Sequence, residues 1–291
     1  MSGSEEAGNS TTVTAPAKLT LSLRITGVRP DGLHELDAEM VTIDLADTLS
    51  FTEGSGLTVI DGVVGDLGVD ALGDDNLVDR ALALVHRRAA VRLTKRIPVG
   101  AGLGGGSADA AAVLRWAGEI DPEIGARLGS DVPFCVYGGR ARVFGVGERI
   151  EALPFEDRRF VLLIPPIAMD TGAVYRAWDY LQRSDAGSEP TEERGPSSPN
   201  EASDAADTTE STNDLEKAAL TVSPQLRYWR ETFWSITGRQ PHLAGSGSTW
   251  FIEGTREELQ LGNRTSLVLG SQRAPLVSVR TTGALVPAAS V

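Results

Sequence analysis

The chain has 291 residues, a formal net charge of −13 and one cysteine, Cys135. The negative charge argues against a general nucleic-acid-binding surface. The lone cysteine excludes an intrachain disulfide and fits a reducing compartment. The three scattered histidines are too few for a zinc-type cluster. The first ten residues contain no apolar signal region, and no apolar run reaches ~18 residues. We therefore expect a cytoplasmic protein that binds neither nucleic acid nor membrane.

The first third of the chain predicts three strands and one helix. Residues 18–25 alternate between apolar and polar side chains, which is typical of a half-buried strand with Lys18 and Thr20 on its polar face. A second strand is predicted over residues 39–45 and a third over residues 91–97. Between them, apolar residues recur at helical spacing from Leu77 to Val85, and Asn76 is placed to cap that helix at its start.

A glycine-rich loop follows the third strand. Five of the seven positions from Gly100 to Gly106 are glycine, and an alanine-rich helix is predicted from about Ser107. Glycine lets backbone amides approach a ligand closely, and the start of a helix favours negative charge, so the pattern predicts an anion-binding loop. Tight packing of the backbone is the alternative that needs no ligand.

The spacing of the glycines is also compatible with a dinucleotide as the ligand. Gly100, Gly102 and Gly105 match the G-x-G-x-x-G pattern of dinucleotide sites, with Glu119 at a suitable distance. Against this, the preceding strand contains Arg92 and other basic residues, unlike the apolar central strand of a βαβ unit. The loop also lacks the Lys-Ser/Thr ending of a Walker A loop.

The second half predicts a buried strand in residues 158–166, an amphipathic helix over residues 173–181, a helix over residues 224–236 and a strand–loop–strand over residues 242–254. Residues 183–216 contain ten acidic and two basic residues, a net −8 of the −13 in the whole chain. With few large apolar side chains, this stretch is expected to be a solvated insertion, the alternative being an acidic docking segment. Strands and helices mix without a regular βαβ rhythm, which favours an α+β fold.

Seven ordered motifs resemble those of one enzyme superfamily. "PVGAGLGGGSADAA" is similar to the phosphate loop of the GHMP kinases, and "APAKLTLSLRITGVRPDGLHEL", "DDNL", "LGSDVPF", "GVGERIEALP", "NDLE" and "AGSGSTWF" match further segments of its 4-diphosphocytidyl-2-C-methyl-D-erythritol kinase family in order. The resemblance implies a two-lobed α+β fold with the active site between the lobes. It implies an N-terminal GHMP kinase domain over residues 1–155 and a C-terminal domain over residues 156–291, with a disordered acidic insertion at about 183–212.

The resemblance also implies an activity and its site. The family transfers the γ-phosphoryl group of ATP, with Mg²⁺, to the 2-hydroxyl of a cytidine-diphosphate-linked methylerythritol in non-mevalonate isoprenoid synthesis. Asp131 corresponds to the catalytic base and Lys18 to a lysine near the reacting hydroxyl. The implied ATP-binding residues are Asn76, Lys95, Pro98, Gly100, Gly102, Leu103, Gly104, Gly105, Gly106 and Ser107, the last also a candidate Mg²⁺ ligand. The implied substrate-binding residues are Thr20, Leu33, His34, Gly245, Ser246, Gly247 and Ser248.

Simpler interpretations stand beside four of these assignments. Asp131 precedes an apolar run and could serve only as a helix N-cap, and Lys18 could be a solvated strand residue. Asn76 and Ser107 could each do no more than cap a helix. Cys135 lies in an apolar run, where we expect a core position.

The chain also departs from the family pattern. Thr20 stands where the family has Asn, Leu33 where it has Tyr, and Ala108 where it has a second Ser; the 15 residues from Trp116 to Ser130 form a short connection. Two alternatives therefore stay open. One is a GHMP kinase with a different acceptor alcohol, and the other is a nucleotide-binding protein of the same fold with little or no catalysis.

Overall fold

Six strands of the N-terminal half form the first sheet of the computed structural model, which describes residues 10–62, 76–186 and 212–286. The strands are β1 (Thr11–Val28), β2 (His34–Thr52), β3 (Gly56–Asp61), β4 (Ala90–Lys95), β5 (Arg140–Gly145) and β6 (Arg149–Ala152). The long strand β2 pairs with β1 along one edge, and with β5 and β4 in turn along the other. β3 lies parallel to β4, and β6 pairs antiparallel with β5.

The second sheet is antiparallel and comes from the C-terminal half. Its strands are β7 (Arg159–Leu163), β8 (His242–Leu243), β9 (Trp250–Glu253), β10 (Ser266–Leu269) and β11 (Gln272–Arg280), in the order β10-β11-β7-β9-β8. After β11 the chain returns to the first sheet, where Thr281 bridges to Ile43 of β2, and Ala284 then bridges to Gly138, which follows α4. Residue 155 falls in the connection between the two sheets; the division into domains there stays a prediction.

The described residues contain helices α1 (Leu77–Leu84), α2 (Gly105–Ala117), α3 (Pro122–Ala126), α4 (Val132–Tyr137), α5 (Thr171–Ala186), α6 (Glu216–Val222) and α7 (Gln225–Thr237). Not one of these helices combines the length and apolarity that crossing a membrane requires. Helix α2 lies in the core of the N-terminal half, where four of its five alanines, Ala108, Ala110, Ala111 and Ala112, are at most 1% exposed. Such small side chains let neighbouring elements pack close to the helix backbone.

The predicted elements are found, with corrected boundaries. β1 and β2 extend well beyond the predicted strands, and α2 begins at Gly105, two residues before Ser107. The two-sheet architecture confirms the α+β prediction. Most of the predicted acidic insertion at about 183–212 lies outside the described residues, but Arg183–Ala186 are helical as the end of α5. Cys135 is buried as expected, and this burial raises the pKa of its thiol to about 12.

One prediction about β1 is wrong in an informative way. Lys18 and Thr20 lie on the polar face of the strand, but they are only 6% and 1% exposed. The register shifts between Pro16 and Lys18 and again between Thr20 and Ser22, so the alternation is interrupted on either side of these residues. The polar face of β1 therefore lines the interior of the protein at this point, and the solvated interpretation of Lys18 is excluded.

Candidate active site

A cavity of about 300 Å³ gathers most of the residues that the sequence singled out. Its lining includes, from that set, Lys18, Lys95, Pro98, Gly100, Gly102, Gly104, Gly105, Gly106, Ser107, Asp131, Gly245 and Ser246. The cavity thus brings together the glycine-rich loop, the lysine of β1, the aspartate before α4 and a second glycine loop at residues 244–249. Asn76, Leu103, Thr20, Leu33, His34, Gly247 and Ser248 are outside its lining.

Three carbonyl groups of the glycine-rich loop at residues 100–106 accept hydrogen bonds from other segments of the protein. The carbonyl oxygen of Gly100 accepts a hydrogen bond from the Met169 amide (2.9 Å), that of Ala101 from the Thr249 amide (3.2 Å) and that of Leu103 from the Lys18 amide (3.1 Å). These three donors come from different parts of the chain. The loop is therefore fixed from several sides before any ligand binds.

The amides of the same loop are left for a ligand. Gly100, Gly102 and Gly104 have φ values of +68°, +77° and +69°, which glycine adopts readily. Gly104 precedes α2 without a side-chain cap, so the amides of its first turn have no capping acceptor among the described residues. Free amides and the positive end of a thirteen-residue helix together favour the binding of an anion such as a phosphate group.

Gly102 provides a test of this loop, with Gly118 as its matched control. Both residues have positive φ, so replacing either with alanine should cost about 1–2 kcal/mol in backbone strain. A Cβ at Gly102 would overlap the Ala244 carbonyl oxygen and lie 2.8 Å from that of Gly247, whereas a Cβ at Gly118 would meet nothing within 4 Å. Gly102→Ala should weaken ATP binding about tenfold or more, the value of one charged hydrogen bond, measured by calorimetry. Equal affinities for the two variants would contradict the assignment.

Lys18 and Asp131 form an ion pair at the cavity wall. The Lys18 Nζ atom lies 3.2 Å from Asp131 Oδ2, and it donates a hydrogen bond of 3.1 Å to Thr20 Oγ1. The side chain of Lys18 is 7% exposed and that of Asp131 is 30% exposed. The lysine stem packs so closely under Gly104 that a Cβ there would lie 2.8 Å from Lys18 Cγ. This packing fixes the ammonium group beside the loop.

Asp131 stands at the N-cap position of α4, but its side chain makes no capping hydrogen bond there. The carboxylate points instead to Lys18. Capping alone therefore does not account for Asp131. By contrast, Asn76 caps α1 through a 2.9 Å hydrogen bond from the Val78 amide, as predicted.

Lys95 lies at the floor of the cavity between two carboxylates. Its Nζ atom is 2.5 Å from Asp47 Oδ2 and 2.7 Å from Asp109 Oδ2, and the three side chains are almost fully buried. Burial lowers the pKa of Lys95, but the two carboxylates outweigh this and raise it. Asp47 also accepts hydrogen bonds from the amides of Arg96 and Ile97, whereas Asp109 Oδ1 has no hydrogen-bond partner in the described part of the chain. Burial raises the pKa of Asp109 to about 7, opposed by Lys95.

Sequence reasoning missed the two carboxylates, Asp47 and Asp109, that hold the Lys95 ammonium group. The ammonium group lies 3.2 Å from the position of a Cβ on Gly105, directly beneath the start of α2. It ties β4 to β2 through Asp47 and to α2 through Asp109. The nucleotide contact implied for Lys95 stays a prediction.

The second glycine loop closes the cavity from the C-terminal half. Gly245 and Ser246 line the cavity, and Ser246 Oγ lies 3.0 Å from Thr171 Oγ1 at the start of α5. Gly247 lies against Gly102 of the first loop. Ser248 is completely buried, and its hydroxyl has no hydrogen-bond partner among the residues that the structure describes.

A cluster of rings around His34 lies near one end of the site. The His34 Nε2 atom is 2.8 Å from Asp179 Oδ1, and its ring packs against Tyr175 (4.7 Å between centroids) and Trp178 (5.5 Å). Tyr175 lines the cavity, and burial together with the nearby Asp131 carboxylate raises the pKa of its hydroxyl to about 12. Leu33 lies at the turn before β2 and is 50% exposed.

Sequence reasoning missed Thr171 and Tyr175 as lining residues. The helical periodicity of α5 indicated which residues share a face, but that face could equally have packed into a core.

The side chains at the site could hold a cation only together with oxygen atoms of a bound ligand. The described residues contain no group of three or more His, Cys, Asp or Glu side chains that could hold a metal ion. Mg²⁺ in phosphoryl-transfer sites is held by one or two protein oxygens together with phosphate oxygens. The Ser107 hydroxyl and the Asp131 carboxylate are oxygen donors in the cavity lining, and this donor set suits such a shared site.

Comparison with known proteins gives a consistent result. A family model described as GHMP kinases N terminal domain matches residues 76–139. The chain is 38% identical over 239 residues to the 4-diphosphocytidyl-2-C-methyl-D-erythritol kinase of Paracoccus denitrificans (strain Pd 1222), covering 81% of this chain and 84% of the relative. It is 37% identical to the protein of the same name from Cereibacter sphaeroides (strain ATCC 17025 / ATH 2.4.3), covering 81% and 87%. A crystal structure of 4-(cytidine 5'-diphospho)-2C-methyl-D-erythritol kinase is similar with a TM-score of 0.62 and 32% identity, covering 94% of this chain and 100% of that one.

Proposed function

This chain belongs to the 4-diphosphocytidyl-2-C-methyl-D-erythritol kinase family of the GHMP kinases, and we propose that it transfers the γ-phosphoryl group of ATP to the 2-hydroxyl of 4-diphosphocytidyl-2-C-methyl-D-erythritol. One observation carries the proposal. A loop whose amides have no acceptor among the described residues, and three of whose carbonyls are held by other segments, lies in the same cavity as a lysine–aspartate pair. The reaction belongs to non-mevalonate isoprenoid precursor synthesis.

The glycine-rich loop binds the phosphate groups of ATP in this proposal. Catalysis of phosphoryl transfer requires a protein mainly to position two reactants and to stabilise negative charge. Amides held in place beforehand do this without reorganising when the reaction occurs. The α2 N-terminus adds to the attraction. Lys95, which is paired with Asp47 and Asp109, ties the start of α2 to β2 and β4.

Asp131 accepts the proton of the acceptor hydroxyl, and Lys18 lies beside both. A carboxylate that takes up this proton as the oxygen attacks phosphorus acts as a general base. The ammonium group of Lys18, 3.2 Å away, holds the carboxylate in position and stabilises the charge that develops on the reacting oxygens. Thr20 in turn accepts a hydrogen bond from Lys18, which fixes the direction of the ammonium group.

Mg²⁺ when bound neutralises charge on the phosphate groups, and we assign its protein contact to the Ser107 hydroxyl. The remaining ligands would be phosphate oxygens and water, as is usual for this ion.

The cytidine end of the acceptor is assigned to the region of His34. The imidazole is held by Asp179 and by the rings of Tyr175 and Trp178, so its orientation is fixed. The second glycine loop contributes Gly245 and Ser246 to the cavity lining, and we assign it to contact the phosphates and the acceptor.

Leu33 allows the cytidine assignment to be tested. Since the side chain is half exposed at the turn before His34, tyrosine can replace it without entering the core. Stacking on cytosine should tighten binding of the cytidine-linked alcohol by ~0.5–1.5 kcal/mol, about two- to twelvefold, measured by calorimetry. Val268→Tyr, at a position that is 53% exposed on β10, is the matched control and should change nothing. Unchanged or weaker binding by Leu33→Tyr would argue that this region recognises a different group.

The proposed reaction is tested by measuring ATP consumption with a panel of alcohols. The panel contains the cytidine-linked alcohol, homoserine and mevalonate, each with and without Mg²⁺. We expect turnover with the cytidine-linked alcohol and none with homoserine or mevalonate. Turnover with another member would favour the different-acceptor alternative, and ATP binding without turnover on any member would favour the non-catalytic one.

A further inference from the structure

The segment that follows residue 211 lies between β1 and the second glycine loop. The Leu23 amide donates to the Thr212 carbonyl (2.8 Å), and the Asp214 amide donates to the Leu23 carbonyl (2.9 Å). The Asp214 carboxylate also accepts hydrogen bonds from the Ile25 amide (2.8 Å) and the Arg24 guanidinium (2.7 Å). The backbone around Asn213 is therefore anchored to the strand that carries Lys18.

The side chain of Asn213 reaches from this anchored segment to the second glycine loop. It is 3% exposed, and its Nδ2 atom donates to the carbonyl oxygens of Leu243 (3.0 Å) and Gly245 (2.7 Å). Its Oδ1 atom accepts a hydrogen bond from the Leu215 amide (2.9 Å). One buried amide group thus holds two loop carbonyls at once, and its own orientation is fixed by the third bond.

Gly245 connects this contact to the reacting groups. It has a φ of +56°, and a Cβ at this position would lie 3.2 Å from Lys18 Nζ. Its carbonyl oxygen is directed to Asn213, which is outside the cavity lining, while the amides of Gly245 and Ser246 have no acceptor among the described residues. A Gly245 carbonyl freed from Asn213 could turn to the Lys18 ammonium and compete with Asp131 for it.

We propose that Asn213 is a positioning residue of the phosphoryl-transfer site, which holds the Gly245 carbonyl away from Lys18 and so keeps the ammonium on Asp131. It touches no reacting atom in this role, and the inference rests on the proposed function. Asn213 is the first residue of the "NDLE" motif, so the proposal assigns a role to this motif.

The test compares Asn213→Asp with Asn263→Asp. The aspartate at 213 keeps the size and the acceptor for Leu215 but loses both donated protons, whereas Asn263 is exposed and serves as the matched control. Asn213→Ala is the second variant, because it removes the donors without burying a charge. We expect kcat with the cytidine-linked alcohol to fall about 10²-fold in both Asn213 variants, the scale of a ~1 Å misplacement. Affinity for a non-hydrolysable ATP analogue, measured by calorimetry on the folded proteins, should change less than about threefold.

A second measurement separates positioning from a merely structural role. On a Lys18→Met background, Asn213→Ala should lower the residual rate by less than about threefold, since a residue that acts through Lys18 has nothing left to position. An undiminished kcat in folded Asn213→Ala, or an equal loss on both backgrounds, would overturn the inference. Absence of turnover by the wild-type protein would overturn the proposed function instead, so the two failures are distinguishable.

Discussion

Asp131→Asn is expected to lower kcat by about 10²–10⁴-fold, the usual contribution of a general base. Asparagine keeps the size and the hydrogen-bonding shape of the side chain but cannot accept the proton of the acceptor hydroxyl. ATP affinity should change little, because the phosphates are assigned to the amides of the glycine-rich loop and the first turn of α2. Single-turnover kinetics and calorimetry measure the two quantities separately.

The control for this substitution is Asp157→Asn, which removes one negative charge at an exposed position. Helix capping should be retained in the Asp131 variant, because asparagine is as good an N-cap as aspartate and the wild-type side chain makes no capping bond. The substitution also removes the charged partner of the largely buried Lys18, so thermal unfolding is measured beside turnover. A folded Asp131→Asn protein with near wild-type turnover would show that the proton leaves by another route.

Lys18→Met is expected to reduce kcat by about 10²–10³-fold, the usual cost of removing one group that stabilises developing charge. Methionine preserves the apolar stem that packs under Gly104, so the loss should come from the missing ammonium group. The exposed Lys217 provides the matched control, and Lys217→Met should turn over at the wild-type rate. A rate for Lys18→Met within about threefold of wild type would exclude the assigned role.

The double variant of Lys18 and Asp131 tests whether the two residues act together. Residues that form one catalytic unit are not additive, so the double variant should be scarcely slower than the slower single variant. The 3.2 Å contact between the two side chains is the structural reason for this expectation. Fully multiplicative losses would indicate two independent roles.

Local signals in the sequence determined the elements and the glycine-rich loop, whereas the resemblance of the ordered motifs supplied the family and the other lining residues that were predicted. Alternation located β1, helical spacing located α1 and α5, and the glycine run identified the loop that the cavity contains. The family predicted from ordered motifs is confirmed by relatives that cover most of the chain. These features are readable because each depends on neighbouring residues, through the strand or helix period or through the conformational freedom of glycine.

Only the tertiary structure decided what the polar residues touch. Periodicity placed Lys18 on a polar face, but packing of Gly104 and Gly245 against it turned that face into the wall of a cavity. Lys95 is held by Asp47 and Asp109, which come from separate elements. Asn213 holds two carbonyl groups that lie 30 and 32 residues later in the chain. Such contacts depend on how distant segments pack, and no local pattern encodes a partner that is far away in the chain.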